Sequence, residues 1–328
     1  MKEQILNYLS RMDLLQKIDI LHVVEIIFAI LITASLTFFI WGKLKPETNL
    51  KELKSRTNSW WVMVFLFIAA VLLDRMITFP ALALLSFVAF RELYSMIGFR
   101  DVDRRPIFWA FLAIPVQYYL AYIGWYELFI IFIPVWMFLF IPVRMVIAGE
   151  TTGIIKSMAS LQWSLMITVY GLSHLAYFLA LPEATNLSEG KSFINGGQGR
   201  LLFVVFLTEI NDVLQFMWGK MLGKHKITPS VSPNKTWEGF IGGVLSTTVI
   251  SYFIGFLTPL TDMQVVLGGF IIGCTGFFGD IVMSAIKRDI GVKDTGSTIP
   301  GHGGVLDRID SLTYTAPIFF HFVYYIVF

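Results

Sequence analysis

A single cysteine, Cys274, occurs in the 328 residues of the chain, inside an apolar run. That excludes an intrachain disulfide framework and any zinc cluster of paired thiolates, which needs several cysteines at close spacing. Charge is the second scarcity. Asp, Glu, Lys and Arg make up 15% of the chain, against 56% apolar and 16% aromatic residues, whereas a soluble domain carries roughly 25% charge. The net charge of +2 comes without a dense basic tract, so the footprint for nucleic acid is missing. The signatures G-x-x-x-x-G-K-[ST], G-x-G-x-x-G and H-E-x-x-H are absent too, which removes P-loop, dinucleotide and zincin chemistry. Ser232 to Lys235 fits S-x-x-K, but the companion K-T-G of acyl-serine enzymes is lacking.

What the chain has in abundance is long apolar runs. Roughly 20 apolar residues cross a bilayer core, and ten runs reach or approach that length: 20–41, 60–73, 76–90, 107–125, 128–143, 161–181, 201–218, 239–258, 265–283 and 312–328. Hydrocarbon tolerates no open sheet edge, so these runs are expected to be helices. The expected fold is therefore an all-α polytopic integral membrane protein with about nine to ten transmembrane helices and polar cytoplasmic loops. The second and third runs, joined at Asp74 and Arg75, are short enough to form a re-entrant pair. The N-terminal stretch MKEQILNYLSRMDLLQKIDILHVVE breaks its apolar positions with charges and offers no small-residue cleavage site; it predicts an interfacial helix leading into a retained span. His22, Glu25 and His174 lie in spans and are expected to serve as interhelical hydrogen-bonding groups.

Connections after the first, third, fifth, seventh and ninth runs hold about three quarters of the 25 Lys and Arg residues. By the positive-inside rule those connections are cytoplasmic and both termini lie opposite. The polar, Gly-rich loop over 182–200 divides an N-terminal helical region, 1–200, from a C-terminal region, 201–328, that carries the chemistry.

The connections after the seventh and ninth runs share a side and hold the densest polar sequence. One reads GKMLGKHKITPSVSPNKTWEG; the other, KRDIGVKDTGSTIPGHGGVLDRID, interleaves Lys287, Arg288, Lys293 and Arg308 with Asp289, Asp294, Asp307 and Asp310. Asp280, Ser284 and Lys287 fall on one helical face, and so do Asp307, Asp310, Ser311 and Tyr314 if the last helix starts near Asp307. Carboxylates that converge at a membrane surface repel one another unless a cation lies between them. Oxygen donors without His or Cys suit Mg²⁺, which keeps several waters and binds one or two carboxylates plus phosphates. Lys287, Arg288 and Arg308 are the complementary set for phosphate oxygens. Pro300, Gly301, Gly303 and Gly304 let backbone N–H groups approach an anion, with His302 beside them as a donor or a cap. Ser232, Lys235 and Thr236 are candidates for binding a triphosphate. Glu209 and Asp212 lie within a span, where ionisable residues mark a functional site; on residues alone this leaves open a cation-coupled transporter, and a phosphoryl or nucleotidyl transferase acting on an isoprenoid-type lipid.

Ser284 to Asp310 fits S-x-apolar-K-R-x4-K-D-x-small-x2-apolar-P/G-x-H-G-G-apolar-x-D-R-apolar-D at every position. In this signature, in SPNKTWEG and in the spacing from Asp212 to GKMLGKHK, the stretch from Leu201 to Ser311 resembles the phosphatidate cytidylyltransferases, or CDP-diacylglycerol synthases. It departs from them at Asn211 and in VLQFMW. The resemblance implies an enzyme transferring CMP from CTP to phosphatidate, with Mg²⁺ and an accompanying K⁺, as a homodimer in the bacterial cell membrane with its active site facing the cytoplasm. Carried over by position, it implies Asp280, Asp307 and Asp310 as metal ligands. It places Lys287, Arg288, Lys293 and Arg308 on phosphates, with Asp212, Ser232, Lys235, Thr236, Ser284, Asp294 and His302 around them.

Overall fold

The computed structural model describes residues 20–44, 51–72, 74–182, 196–296, 298–299 and 303–328. The expected N-terminal interfacial helix, most of the 182–200 loop and His302 lie outside the described residues.

Helices occupy all ten apolar runs. In chain order they are α1 (Ile20–Leu44), α2 (Lys51–Leu72), α3 (Arg75–Met96), α4 (Arg104–Ile123), α5 (Tyr126–Ile147), α6 (154–177), α7 (Gly196–Leu222), α8 (Trp237–Phe253), α9 (Asp262–Ile290), a one-turn α10 (Leu306–Ile309) and α11 (Leu312–Val327). Among the described residues six helices are long and apolar enough to cross a membrane: α1, α3, α4, α5, α7 and α9. Four of the ten expected spans fall short of that measure. The apolar part of α2 covers only Thr57–Val71, α8 and α11 have 17 and 16 residues, and α6 carries Lys156, Gln162 and His174 among its apolar residues. Asp74 caps α3 by accepting from Met76 N at 2.8 Å, and α3 then runs for 22 residues, the length of a full crossing.

Two helices widen locally into π turns, over Phe132–Met137 in α5 and Met166–Gly171 in α6. In α5 the turn contains Pro134, whose missing N–H a wider turn accommodates without breaking the helix. In α6 the turn ends at Gly171, where a Cβ would come within 2.7 Å of Thr313 O; the missing side chain lets α6 lie against the start of α11.

Large apolar side chains such as Phe65, Leu84, Phe108, Leu139, Phe216 and Val249 are exposed on the outside of the bundle. Acyl chains solvate such a surface, which water would not. Interhelical polar contacts lie inside. Asn211 donates to Gly273 O at 3.2 Å and accepts from Thr247 Oγ1 at 3.1 Å, and Thr208 Oγ1 donates to Thr315 Oγ1 at 3.0 Å. These bonds tie α7 to α8, α9 and α11, and they account for the amide at 211 as an interhelical link. His174 is fully buried, with its Nδ1 2.7 Å from Tyr170 O on its own helix.

Between α7 and α8 the chain forms a two-stranded hairpin, β1 (Lys226–Thr228) against β2 (Ser232–Thr236). It lies outside the six candidate spans, where a sheet edge can meet water. Glu238 fastens it by accepting from the backbone N–H groups of Lys224 and His225.

Candidate active site

The long helix α9 is set at its start by a capping box, Thr261 with Gln264, and stopped by Gly291 at φ 83°, a left-handed conformation that glycine adopts without strain. Near its end Asp280, Ser284 and Lys287 share one face: Ser284 Oγ donates to Asp280 Oδ1 at 3.2 Å, while Lys287 reaches across to the elements after it. Lys287 Nζ lies 2.9 Å from Asp307 Oδ1 and 3.9 Å from Asp310 Oδ2. From the other side, β2 delivers Lys235, whose Nζ lies 2.6 Å from Asp280 Oδ2 and 3.3 Å from Gln215 Oε1 of α7. Helix α7 also contributes Asp212, which accepts from Ser311 Oγ at 2.8 Å. One cluster thus holds Asp212, Lys235, Asp280, Ser284, Lys287, Asp307 and Asp310, drawn from α7, β2, α9, α10 and the turn before α11.

Its electrostatics follow from this placement. Burial, and behind it the nearby charges of Asp280 and Asp212, push Asp310 well above its ordinary value, against the opposite pull of Lys287. For Asp307, burial works upward, but the Lys287 ammonium and the N–H groups of Gly304 and Thr295 outweigh it and hold the carboxyl below the usual range. Burial works downward on Lys235, and the carboxylates of Asp280 and Asp212 overcome it, so its value is raised.

The two oxygens of Asp307 have different roles. Oδ2 accepts from Thr295 N at 2.7 Å and Gly304 N at 2.9 Å, which folds the loop back onto α10, while Oδ1 faces Lys287. A carboxylate oxygen has two lone pairs, so Oδ1 keeps one beyond its lysine bond. Among the described residues no three carboxylate, His or Cys groups form a ready-made metal cage; the two ammonium groups stand where a divalent ion would neutralise charge. The donors nonetheless fit a hard cation. All are oxygens, and Asp212 Oδ1 is buried with no hydrogen-bond partner, an orphan acceptor of the kind an ion or its water satisfies. On the cationic side Arg308 Nε is likewise buried without a partner.

Other expected site residues form no hydrogen bond or ion pair with this cluster among the described residues. Arg288 is exposed and donates to Val231 O at 3.4 Å and Val292 O at 3.1 Å, tying the hairpin turn to the segment after α9. Lys293 and Asp294 are exposed at the rim, and Ser232 is half-buried on β2. Thr236 caps α8, its Oγ1 accepting from Gly239 N at 3.1 Å, which leaves its O–H as a donor.

Sequence reasoning missed Glu92 and Gln215. Glu92 accepts from the N–H groups of Val305 and Leu306 at the start of α10; it ends an apolar run on α3, where a charge reads as ordinary flanking of a span, and no spacing rule links it to residues more than 200 positions away. Gln215 is buried on α7 and orients Lys235; an amide inside an apolar run was the available signal.

The chain is similar to known proteins over most of its length. The model of the Cytidylyltransferase family matches residues 54–326. Uncharacterized protein YnbB of Escherichia coli strain K12 is 43% identical over 302 residues, covering 91% of this chain and 96% of that protein. A phosphatidate cytidylyltransferase of Staphylococcus aureus strain COL is 37% identical over 166 residues, 48% of this chain and 59% of the relative. One of Staphylococcus haemolyticus is 38% identical over 120 residues, 36% of this chain and 46% of the relative.

Proposed function

Because the chain belongs to the cytidylyltransferase family, we propose that it transfers CMP from CTP to phosphatidate, giving CDP-diacylglycerol and pyrophosphate, at the cytoplasmic face of a bacterial cell membrane. The observation that carries the reading is the meeting of carboxylates and ammonium groups from the C-terminal halves of α7 and α9, from β2 and from α10 and the turn before α11, next to an apolar exterior that keeps acyl chains in lipid. The name of the staphylococcal relatives supports the choice of phosphatidate as acceptor.

A phosphomonoester has a second pKa near 6 and is largely dianionic at neutral pH, so the acceptor needs no general base. That matches a cluster built of cations and carboxylates, in which no histidine stands beside a serine hydroxyl among the described residues. The lipid phosphate oxygen attacks the α-phosphorus of CTP; the new P–O bond forms as the bond to pyrophosphate breaks, and pyrophosphate departs with the electron pair. The obstacle is repulsion between two polyanions, so positioning and charge neutralisation supply the catalysis. Arg308 offers its unpartnered Nε–H to a phosphate oxygen. Lys287 and Lys235 hold Asp307, Asp310 and Asp280 in fixed orientations and lower the negative potential that the substrates meet. Asp280, Asp307 and Asp310, with Asp212 Oδ1, would hold Mg²⁺, which supplies charge neutralisation on the phosphates when bound.

The test is a panel of radiolabelled CTP, ATP, GTP and UTP against phosphatidate, an isoprenoid phosphate and an isoprenoid alcohol, using purified protein in micelles with and without Mg²⁺. CDP-diacylglycerol formed from CTP and phosphatidate, and lost on chelation, is the expected result. Transfer to the isoprenoid acceptors alone, or transfer undiminished by chelator, would overturn it.

A further inference from the structure

A carboxylate from the N-terminal part of the chain sits inside the loop that frames the site. Glu92, near the C-terminal end of α3, is buried, and no Lys, Arg or His forms an ion pair with it among the described residues. Its oxygens are filled instead by four donors. Oε1 accepts from Thr298 Oγ1 at 2.7 Å and Val305 N at 3.0 Å. Oε2 accepts from Leu306 N at 2.9 Å and Thr295 Oγ1 at 3.4 Å. A carboxylate has about four lone-pair sites, so this one is saturated.

The donors bracket the loop between α9 and α10, two on its outgoing arm and two at the point where it enters α10. Gly304 fits between them because a Cβ there would overlap Thr295 Oγ1 and Glu92 Oε2. On the far side of the same loop, Asp307 Oδ2 accepts from Thr295 N and Gly304 N. Thr295 is therefore shared between the two carboxylates, its hydroxyl on Glu92 and its N–H on Asp307. Asp307 and Arg308 stand on the single turn of α10, and Asp310 directly follows it. One turn of helix cannot hold its own position, since formation of the first turn is unfavourable in isolation; something outside must fix where it starts.

We propose that Glu92 is a positioning residue for CMP transfer: by holding the N–H groups of Val305 and Leu306 and the hydroxyls of Thr295 and Thr298, it sets the placement of Asp307, Arg308 and Asp310. The inference rests on the lipid-phosphate reading above and adds to it a part for α3. Glutamine cannot replace glutamate here, because its NH₂ would face a backbone N–H in place of an acceptor; a hydroxyl can turn to accept, but an amide N–H cannot.

The experiment compares wild type, Glu92→Gln and Glu92→Ala in micelles, measuring CMP transfer and amide hydrogen exchange over the whole chain. In Glu92→Gln, kcat is expected to fall on the order of a hundred-fold, as for a misplacement of about 1 Å, with the KM for CTP little changed. Exchange should quicken at Val305, Leu306 and Thr295 while α4, α5 and α6 stay protected. Glu92→Ala should go further in the same direction. Wild-type kcat in Glu92→Gln would overturn the proposal, as would faster exchange spread evenly over the bundle, which marks general loosening. If wild-type protein transfers no CMP to phosphatidate, the acceptor reading falls, and the exchange pattern at Val305 and Leu306 still decides the part played by Glu92.

Discussion

Lys287 shows how closely charge is matched inside the site. Its ammonium lies between Asp307 and Asp310, with only 11% of its side chain exposed. Removing it would leave two buried carboxylates facing each other without a cation, and breaking one side of a buried pair costs about 3–5 kcal/mol. Lys287→Met is expected to lower the unfolding midpoint and abolish CMP transfer. Adding Asp307→Asn should return part of the stability, because the uncompensated charge is removed with its partner. A double-mutant cycle on thermal unfolding measures this; additive effects would place Lys287 on substrate rather than on Asp307. The sequence made much of this residue chemistry visible. Spacing along α9 put Asp280, Ser284 and Lys287 on one face, where they are found. The split duties of the Asp307 oxygens were not visible, because the bonds to Thr295 N and Gly304 N depend on a loop fold that no periodicity encodes. Thr236, a candidate for the triphosphate, also caps α8: its Oγ1 accepts from Gly239 N, and its O–H remains free to donate.

Between elements, the site depends on how closely α9 and the turn before α11 approach. A Cβ at Gly279 would come within 2.9 Å of Asp310 O and 3.1 Å of Ser311 Cα, so glycine at 279 is what allows Asp280 and Asp310 to share one cluster. Gly279→Ala is expected to cost about 1–3 kcal/mol, the usual penalty of overpacking, and to reduce CMP transfer strongly because the two carboxylates move apart. Thermal unfolding and kcat measured on the same sample check both parts; full activity would mean that the turn relaxes without disturbing the site. Helices were legible from apolar runs because a bilayer demands both length and hydrophobicity. Their exact extents were not. The shared face of Asp307, Asp310, Ser311 and Tyr314 required a last helix that starts near Asp307; the chain forms α10 and then α11, with Asp310 and Ser311 between them in helical backbone conformation. The hairpin was also hidden. Its strands have three and five residues, and SPNKT has no apolar alternation to mark a strand.

Across the whole molecule, the N-terminal helices are joined to the C-terminal ones at both ends of the bundle. At the site end the link is Glu92. At the other end it is Arg200, in the first turns of α7, which is 1% exposed and donates to Phe178 O, Leu181 O and Pro182 O at 3.2–3.3 Å. Those carbonyls belong to the end of α6 and the chain just after it, where helical carbonyls lack partners of their own and a cation is favoured. Hydrogen bonds to a charged group contribute about 1.5–3 kcal/mol each when made, and the carbonyls left behind would be buried. Arg200→Met keeps the apolar stem and removes the guanidinium, so its effect reports the hydrogen bonds together with the contact of the guanidinium with the Phe328 ring, 5.5 Å from its centroid. It is expected to destabilise the protein by about 3 kcal/mol. Arg200 precedes Asp212 by twelve positions on one helix, roughly 18 Å at 1.5 Å per residue, so below the lowered midpoint kcat should stay near that of wild type. Thermal unfolding in micelles together with CMP transfer at low temperature measures the two separately. A large loss of kcat at an unchanged midpoint would mean that α7 relays its anchoring to Asp212, and that the two ends of the bundle act as one unit.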